Sequence, residues 1–262
     1  MMNNNTNILQ TKNLSIGYTS KKEVLTIASD INISLKKGKL ITLIGGNGIG
    51  KSTLLRTITA IQKPISGEVF LNEKDIFSMD NSDLAQQQSL VLTDKLPSSN
   101  LTVWELIALG RQPYTNWIGT LSEDDINKIN KAIQLTNIEH LTEKKHYEIS
   151  DGQLQKVLIA RALAQDTDLI ILDEPTTHLD LFHKVSVFKL LQKLAHESEK
   201  CILFSTHDID LAIQLSDEMI VMTKENTIQD QPCNLIEKGV FDTLFKDEHI
   251  VFDKTHGKFI VR

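Results

Sequence analysis

The chain is poor in cysteine, with only Cys201 and Cys233 among 262 residues. Two thiols make no disulfide framework and fit a reducing compartment. The sequence also lacks any run of about 18 apolar residues, so it is not expected to span a membrane itself. Docking on a protein that does span one stays open. The first residues, MMNNNTNILQTK, hold no apolar signal core. Basic charge is not in excess: 28 Lys and Arg stand against 34 Asp and Glu, a formal net charge of −6. That balance does not suggest a nucleic-acid surface. There is no tandem repeat, and no low-complexity tract beyond the asparagines at 3–5. What the chain does have is 40% hydrophobic residues. This is enough for one large domain, or for a core carrying an inserted subdomain.

The most informative stretch is Gly45-Gly46-Asn47-Gly48-Ile49-Gly50-Lys51-Ser52-Thr53. It follows the apolar run at 40–44 and precedes Leu54-Leu55. It therefore reads as strand, glycine loop and helix start, the context of a phosphate-binding loop. Glycines let successive backbone N–H groups face phosphate oxygens. The helix beginning near Lys51 adds the positive end of its dipole. Lys51 can reach the outer phosphates, and the Ser52 hydroxyl can ligate Mg²⁺. The competing reading is a glycine turn with a chance lysine.

Around this loop the patterning changes along the chain. Ile8, Leu14 and Ile16, then Ile27, Ile31, Ile33 and Leu35, alternate with polar residues and predict antiparallel strands. Residues 67–71 and 89–92 read as further strands. From about 94 to 151 the pattern is helical. Thr102 and Glu105 predict a capping box before Leu106, and Ser122 opens a second helix with Ile126, Ile129 and Ile133 on one side. Strands at 169–172, 201–205 and 219–222 then alternate with helices, which predicts a parallel α/β sheet. The expected fold is α/β: a phosphate-loop NTPase core with a parallel sheet, an N-terminal antiparallel β layer and an inserted α-helical subdomain. The expected division is a nucleotide-binding core at 8–93 and 152–230, a helical subdomain at 94–151 and a C-terminal extension at 231–262.

Asp173-Glu174 ends the fully apolar run Leu169-Ile170-Ile171-Leu172. Such a strand is buried on both faces, and its carboxyl end is where open α/β sheets hold ligands. Asp173 is placed to hold Mg²⁺, directly or through water. Glu174 can accept a proton from attacking water. The pair can also merely cap a strand end. His207 follows a second apolar strand and can contact the γ-phosphate, although a histidine at a strand end is by itself a weak signal.

These motifs, in this order, resemble the ATP-binding subunits of ATP-binding-cassette transporters. The discriminating piece is Ile149-Ser150-Asp151-Gly152-Gln153, which is similar to the family's signature sequence, with Asp151-Gly152 where a glycine pair is usual. The resemblance implies that Tyr18 stacks on adenine. It implies that Ser150, Gly152 and Gln153 cover an ATP molecule, and that Asp180, in Thr177-His178-Leu179-Asp180, contacts the other nucleotide site. One departure stands out: Thr93, followed by Asp94, occupies the position of the family's Mg²⁺-contacting glutamine, and Gln86–Gln88 lies too early to replace it.

The resemblance further implies ATP and Mg²⁺ as cofactors and a head-to-tail homodimer. In that dimer, Ser150 and Gly152 of one copy face Lys51 of the other. The implied partners are two membrane permease subunits and an extracytoplasmic substrate-binding protein, with no nucleic acid, at the cytoplasmic face of the cell membrane. Leu106-Ile107-Ala108-Leu109-Gly110-Arg111 with Pro113-Tyr114 is similar to importer ATPases for ferric siderophores, haem and cobalamin. Iron–siderophore import is the first expectation. Trp104 and Trp117 are candidate permease contacts, Trp104 with helix core as its alternative, and Arg111-Gln112-Pro113-Tyr114 is read as the more loop-like contact. A soluble non-transport cassette ATPase is the alternative, and a regulatory ATP-binding module a third reading.

Overall fold

The computed structural model describes residues 7–20, 23–92, 99–244 and 250–261. In chain order its elements begin with strands β1 (Asn7–Thr19), β2 (Val24–Ile31), β3 (Ser34–Lys36) and β4 (Leu40–Gly45). Helix α1 (Lys51–Ile58) and strands β5 (Ser66–Leu71) and β6 (Lys74–Asp75) follow. Next come α2 (Asn81–Gln87) and β7 (Gln88–Val91), then three helices, α3 (Val103–Ala108), α4 (Glu123–Thr136) and α5 (Asp151–Ala164). The second half runs β8 (Leu169–Leu172), α6 (Leu181–Glu197), β9 (Cys201–Ser205), α7 (Ile209–Leu215), β10 (Glu218–Met222) and β11 (Thr227–Asp230). It ends with α8 (Pro232–Glu237) and the hairpin β12 (Ile250–Asp253) and β13 (Lys258–Val261).

The central sheet has the order β11-β10-β4-β9-β8-β7. All its neighbours are parallel except β10 and β11. Its strands alternate strictly between two cores. Leu40, Ile44, Ile170, Leu172, Ile202, Phe204 and Val221 face one side, where α6 and the helical segment cover them. Ile41, Leu43, Leu169, Ile171, Leu203 and Ile220 face the other, where α1 and the antiparallel layer cover them. That layer is built on β1, which pairs antiparallel with β2, β3 and β5. Side chains of period two on a doubly covered sheet make the strands almost wholly apolar, and the buried polar exceptions such as Thr42 and Ser89 are hydrogen-bonded. The fold is thus the expected α/β class.

Helices α3–α5 lie between β7 and β8. Thr102 and Glu105 form the expected capping box, and Ser122 with Asp125 forms another. Trp104 packs on the margin of the core, which favours its structural alternative. Two expectations for this segment are corrected. Ile126 is 39% exposed, and the inward face of α4 carries Asp125, Ile129, Ala132 and Ile133 instead. Arg111 is not a loop-like surface contact but is buried in a 3₁₀ turn, Leu109–Tyr114. Its Nε donates to Asp125 Oδ1 at 2.7 Å and its Nη1 to the Ala164 carbonyl at 2.8 Å. The guanidinium lies 3.9 Å from the Tyr114 ring centroid. A charge taken out of water needs such partners, and Asp125, one turn into α4, supplies the opposite charge. The exposed large side chains nearby are Leu109, Tyr114, Trp117 and Ile118, with Trp117 at 94%. Thr93 and Asp94 lie outside the described residues. Within the described residues no helix is long and apolar enough to cross a membrane.

The buried pair yields a stability prediction. Hydrogen bonds from Ser122, with further help from Arg111, hold the Asp125 carboxyl down at about 2. Its contribution is therefore present above the unfolded value near 3.9 and is lost as pH falls through about 2. Arg111→Ala leaves that carboxylate buried without its cation, and is expected to cost roughly 3–5 kcal/mol in urea unfolding at neutral pH. The deficit should narrow in acid, where a protonated Asp125 carries no unpaired charge.

Candidate functional site

The parallel order puts β4, β9 and β8 side by side, so their carboxyl ends converge. From β4 the chain enters the loop Gly45-Gly46-Asn47-Gly48-Ile49-Gly50 and then α1. Gly50 takes the left-handed conformation, φ 111°, and a Cβ there would lie 2.6 Å from Ile27 Cγ2. Only glycine fits this turn, which seats the loop against β2. Lys51 is buried, and its ammonium donates to the Gly45 carbonyl at 3.0 Å and the Gly46 carbonyl at 3.4 Å. Burial pulls its pKa below the ordinary lysine value, while the charges of Glu174 and Asp173 pull it back up. Ser52 follows at the second helical position. Thr53 Oγ1 is 3.3 Å from the hydroxyl of Tyr18, whose ring is half exposed beside α1.

The ends of β8 and β9 are joined by one hydroxyl. Ser205 Oγ donates to Asp173 Oδ1 at 2.6 Å and accepts from the Glu174 backbone N–H at 2.8 Å. Asp173 is buried, and Glu174 sits in the left-handed region at φ 49°. The Glu174 carboxylate is held at both oxygens. Oε1 lies 2.6 Å from His207 Nε2, and Oε2 accepts from Thr177 Oγ1 at 3.0 Å. A carboxylate pinned at both oxygens is oriented, which a group acting on a water molecule requires. Ser205 was not among the expected functional residues, and Thr177 was expected only as part of the Asp180 loop, not as a partner of Glu174. Ser205 could have been found as the polar end of an otherwise apolar strand two residues before His207.

Ser150 caps α5: its Oγ accepts from the Gln153 N–H at 3.3 Å, and Gln153 Oε1 accepts from the Ser150 N–H at 3.0 Å. Gly152 is buried in the first turn of the same helix. Asp180 caps α6 in the same manner, accepting from the His183 backbone N–H at 2.9 Å and lying 2.8 Å from His183 Nδ1. Those two bonds hold its carboxyl below the ordinary aspartate value. Among the described residues, Ser150, Gly152 and Gln153 make no hydrogen bond to the phosphate loop or to Asp173, Glu174 and His207. One chain therefore brings Lys51, Asp173, Glu174 and His207 to one sheet edge, but not the signature segment.

The ABC transporter family model matches residues 28–177. The chain is 40% identical over 254 residues to the iron(3+)-hydroxamate import ATP-binding protein of Bacillus subtilis, covering 96% of this chain and 93% of that one. A chain of a metal-chelate type ABC transporter in an inward-facing conformation superposes with a TM-score of 0.79 at 26% identity, over 97% of this chain and 96% of that chain. The dimeric post-hydrolysis state of an ATP-binding cassette bound to ADP and Pi aligns with a TM-score of 0.72 at 26% identity, covering 86% and 98%. With a phosphate loop, a paired-acid strand end and a capped signature helix in this arrangement, the chain belongs to the ABC transporter family, as an ATP-hydrolysing subunit.

Proposed function

We propose that this subunit powers import of a substrate through a membrane permease, an iron–siderophore complex before haem or cobalamin. The observation that carries the catalytic part is the convergence of Lys51, Asp173, Glu174 and His207 at three adjacent strand ends. The cargo rests on the similarity to an iron(3+)-hydroxamate import subunit and a metal-chelate type transporter.

In this reading the adenine stacks on Tyr18, and the backbone of 45–53 cradles the phosphates with Lys51 on the outer ones. Ser52 and Asp173 fit Mg²⁺: one hydroxyl and one buried carboxylate are hard oxygen donors. No cluster of three or more His, Cys, Asp or Glu residues able to hold a metal exists among the described residues, and Mg²⁺ usually takes one or two carboxylates together with phosphate and water. When bound, the ion neutralises charge on the phosphates. Glu174, aimed by His207 and Thr177, takes the proton of the attacking water. His207 then stands where the γ-phosphate leaves.

Two copies pair head to tail, so that Ser150, Gly152, Gln153 and Asp180 of one complete the site of the other. Residues 8–93 and 152–230 act as the nucleotide-binding core, 94–151 as the helical subdomain and 231–262 as an extension. The permease meets the groove of about 480 Å³ between α2, β7 and the Leu109–Pro113 turn. The subunit works at the cytoplasmic face of the membrane, with a substrate-binding protein on the opposite side.

Two outcomes are expected. Glu174→Gln should bind ATP with ordinary affinity, lose at least about 100-fold in turnover, and elute as a dimer only with MgATP in size-exclusion chromatography. Turnover near wild type would remove Glu174 from the base role. In cells, Lys51→Ala should cut uptake of labelled ferric hydroxamate by about tenfold or more. Unchanged ferric-chelate uptake beside lost haem or cobalamin uptake would reassign the cargo.

A further inference from the structure

Both segments assigned to the partner's nucleotide, the signature turn and the Asp180 loop, meet on one side chain of their own chain. His183 sits in the first turn of α6. Its Nδ1 lies 2.8 Å from Asp180 Oδ1, so the ring proton on that nitrogen donates to the carboxylate. The opposite edge of the ring lies against the first turn of α5. A Cβ added at Gly152 would fall 2.6 Å from His183 Cδ2, 3.1 Å from Cγ and 3.3 Å from Nε2. The Phe182 ring stands edge-on to the imidazole at 5.5 Å between centroids. The ring cannot swing clear of α5 without giving up Asp180.

We propose that His183 is a positioning residue that clamps the Asp180 loop to the signature helix of the same protomer, so that both address the partner's nucleotide as one rigid surface. The proposal rests on the head-to-tail reading above. It also gives Gly152 a second reason to be glycine. Besides exposing backbone N–H groups at a helix start, it makes room for the imidazole. His183 touches neither the phosphate loop nor Glu174, so its loss leaves ATP binding to a single chain intact. It disturbs only the step in which two chains close on nucleotide, where misplacement by about 1 Å can cost as much as 100-fold.

The test compares His183→Ala, His183→Asn, Gly152→Ala and the Gly152→Ala/His183→Ala double variant. Each is assayed for ATPase kcat and for single-chain nucleotide affinity. MgATP-driven dimerisation is read in a Glu174→Gln background. His183→Ala should keep the nucleotide Kd within about twofold and lower kcat and dimerisation by about tenfold or more. Asn keeps a donor near the Nδ1 position but puts nothing against Gly152, so it should fall with Ala. Full recovery by Asn would reduce His183 to a cap on Asp180 and overturn the clamp. Gly152→Ala pushes the ring off Asp180. The double variant should therefore lose less than the product of the two single losses, whereas simple multiplication would show two independent residues. If the wild type itself hydrolyses no ATP, the functional reading fails. If it hydrolyses normally and His183→Ala matches it, only the clamp fails.

Discussion

The parallel sheet cannot tolerate water on either face, and most of the molecule follows from that. Residues such as Leu43, Ile171, Leu203 and Phe204 are fully buried. Each apolar side chain so placed is worth on the order of 1.5–3 kcal/mol against exposure. Two covers are therefore needed, and the chain supplies unlike ones: an antiparallel layer with α1 on one side, a set of helices on the other. With both faces sealed, charged groups can gather only at the strand ends. The carboxyl ends of β4, β9 and β8 are the place where a lysine, two acids and a histidine can stand close together.

At that edge the arrangement depends on Ser205. Its hydroxyl is fully buried and bridges the Asp173 carboxylate and the Glu174 backbone N–H. Glu174 itself sits at φ 49°, a left-handed conformation that costs a non-glycine residue roughly 1–2 kcal/mol. The bond from its N–H to Ser205, and the contacts of its carboxylate with Thr177 and His207, offset that strain. The conformation turns the carboxylate out of the apolar strand direction. Asp173, one residue earlier, stays buried behind it. Two adjacent acids thus acquire different surroundings from a single backbone reversal.

The residues that declared themselves in the sequence are those whose chemistry is local. The glycine loop, the capping box at Thr102 and the helix start at Ser122 rest on contacts within a few positions, and the acid pair announced itself by following an apolar run. Arg111 was misread because its partners, Asp125 and the Ala164 carbonyl, are 14 and 53 positions away. A charged residue two positions before a proline looks like surface until α4 and α5 close over it. Ile126 was misread for the related reason that a helix face is fixed by what packs on it, and α4 buries a carboxylate for Arg111. Ser205 offered only its place as the polar end of an apolar strand, Thr177 only its place in the Asp180 loop, and His183 no periodic signal; their roles follow from contacts made after folding. The glutamine position taken by Thr93 falls in a segment outside the described residues.

The first turn of α6 connects two parts of the cassette that a sequence alone treats as separate. His183 faces Asp180 and Gly152, while the next residue, Lys184, pairs with Asp208 at 2.6 Å. Asp208 also accepts from Thr176 at 2.8 Å, and it adjoins His207, which contacts Glu174. One helical turn is thereby tied on one side to His207, the residue proposed to meet this chain's own γ-phosphate. On the other it is tied to the two segments assigned to the partner's nucleotide. Successive residues on a helix point about 100° apart, so a rotation of α6 moves both ties together. In the proposed pairing, a change in His207 when the γ-phosphate leaves has a short, packed route to Asp180 and Gly152. In that pairing, the contacts of α6 would join the site that holds one nucleotide to the surface presented to the other.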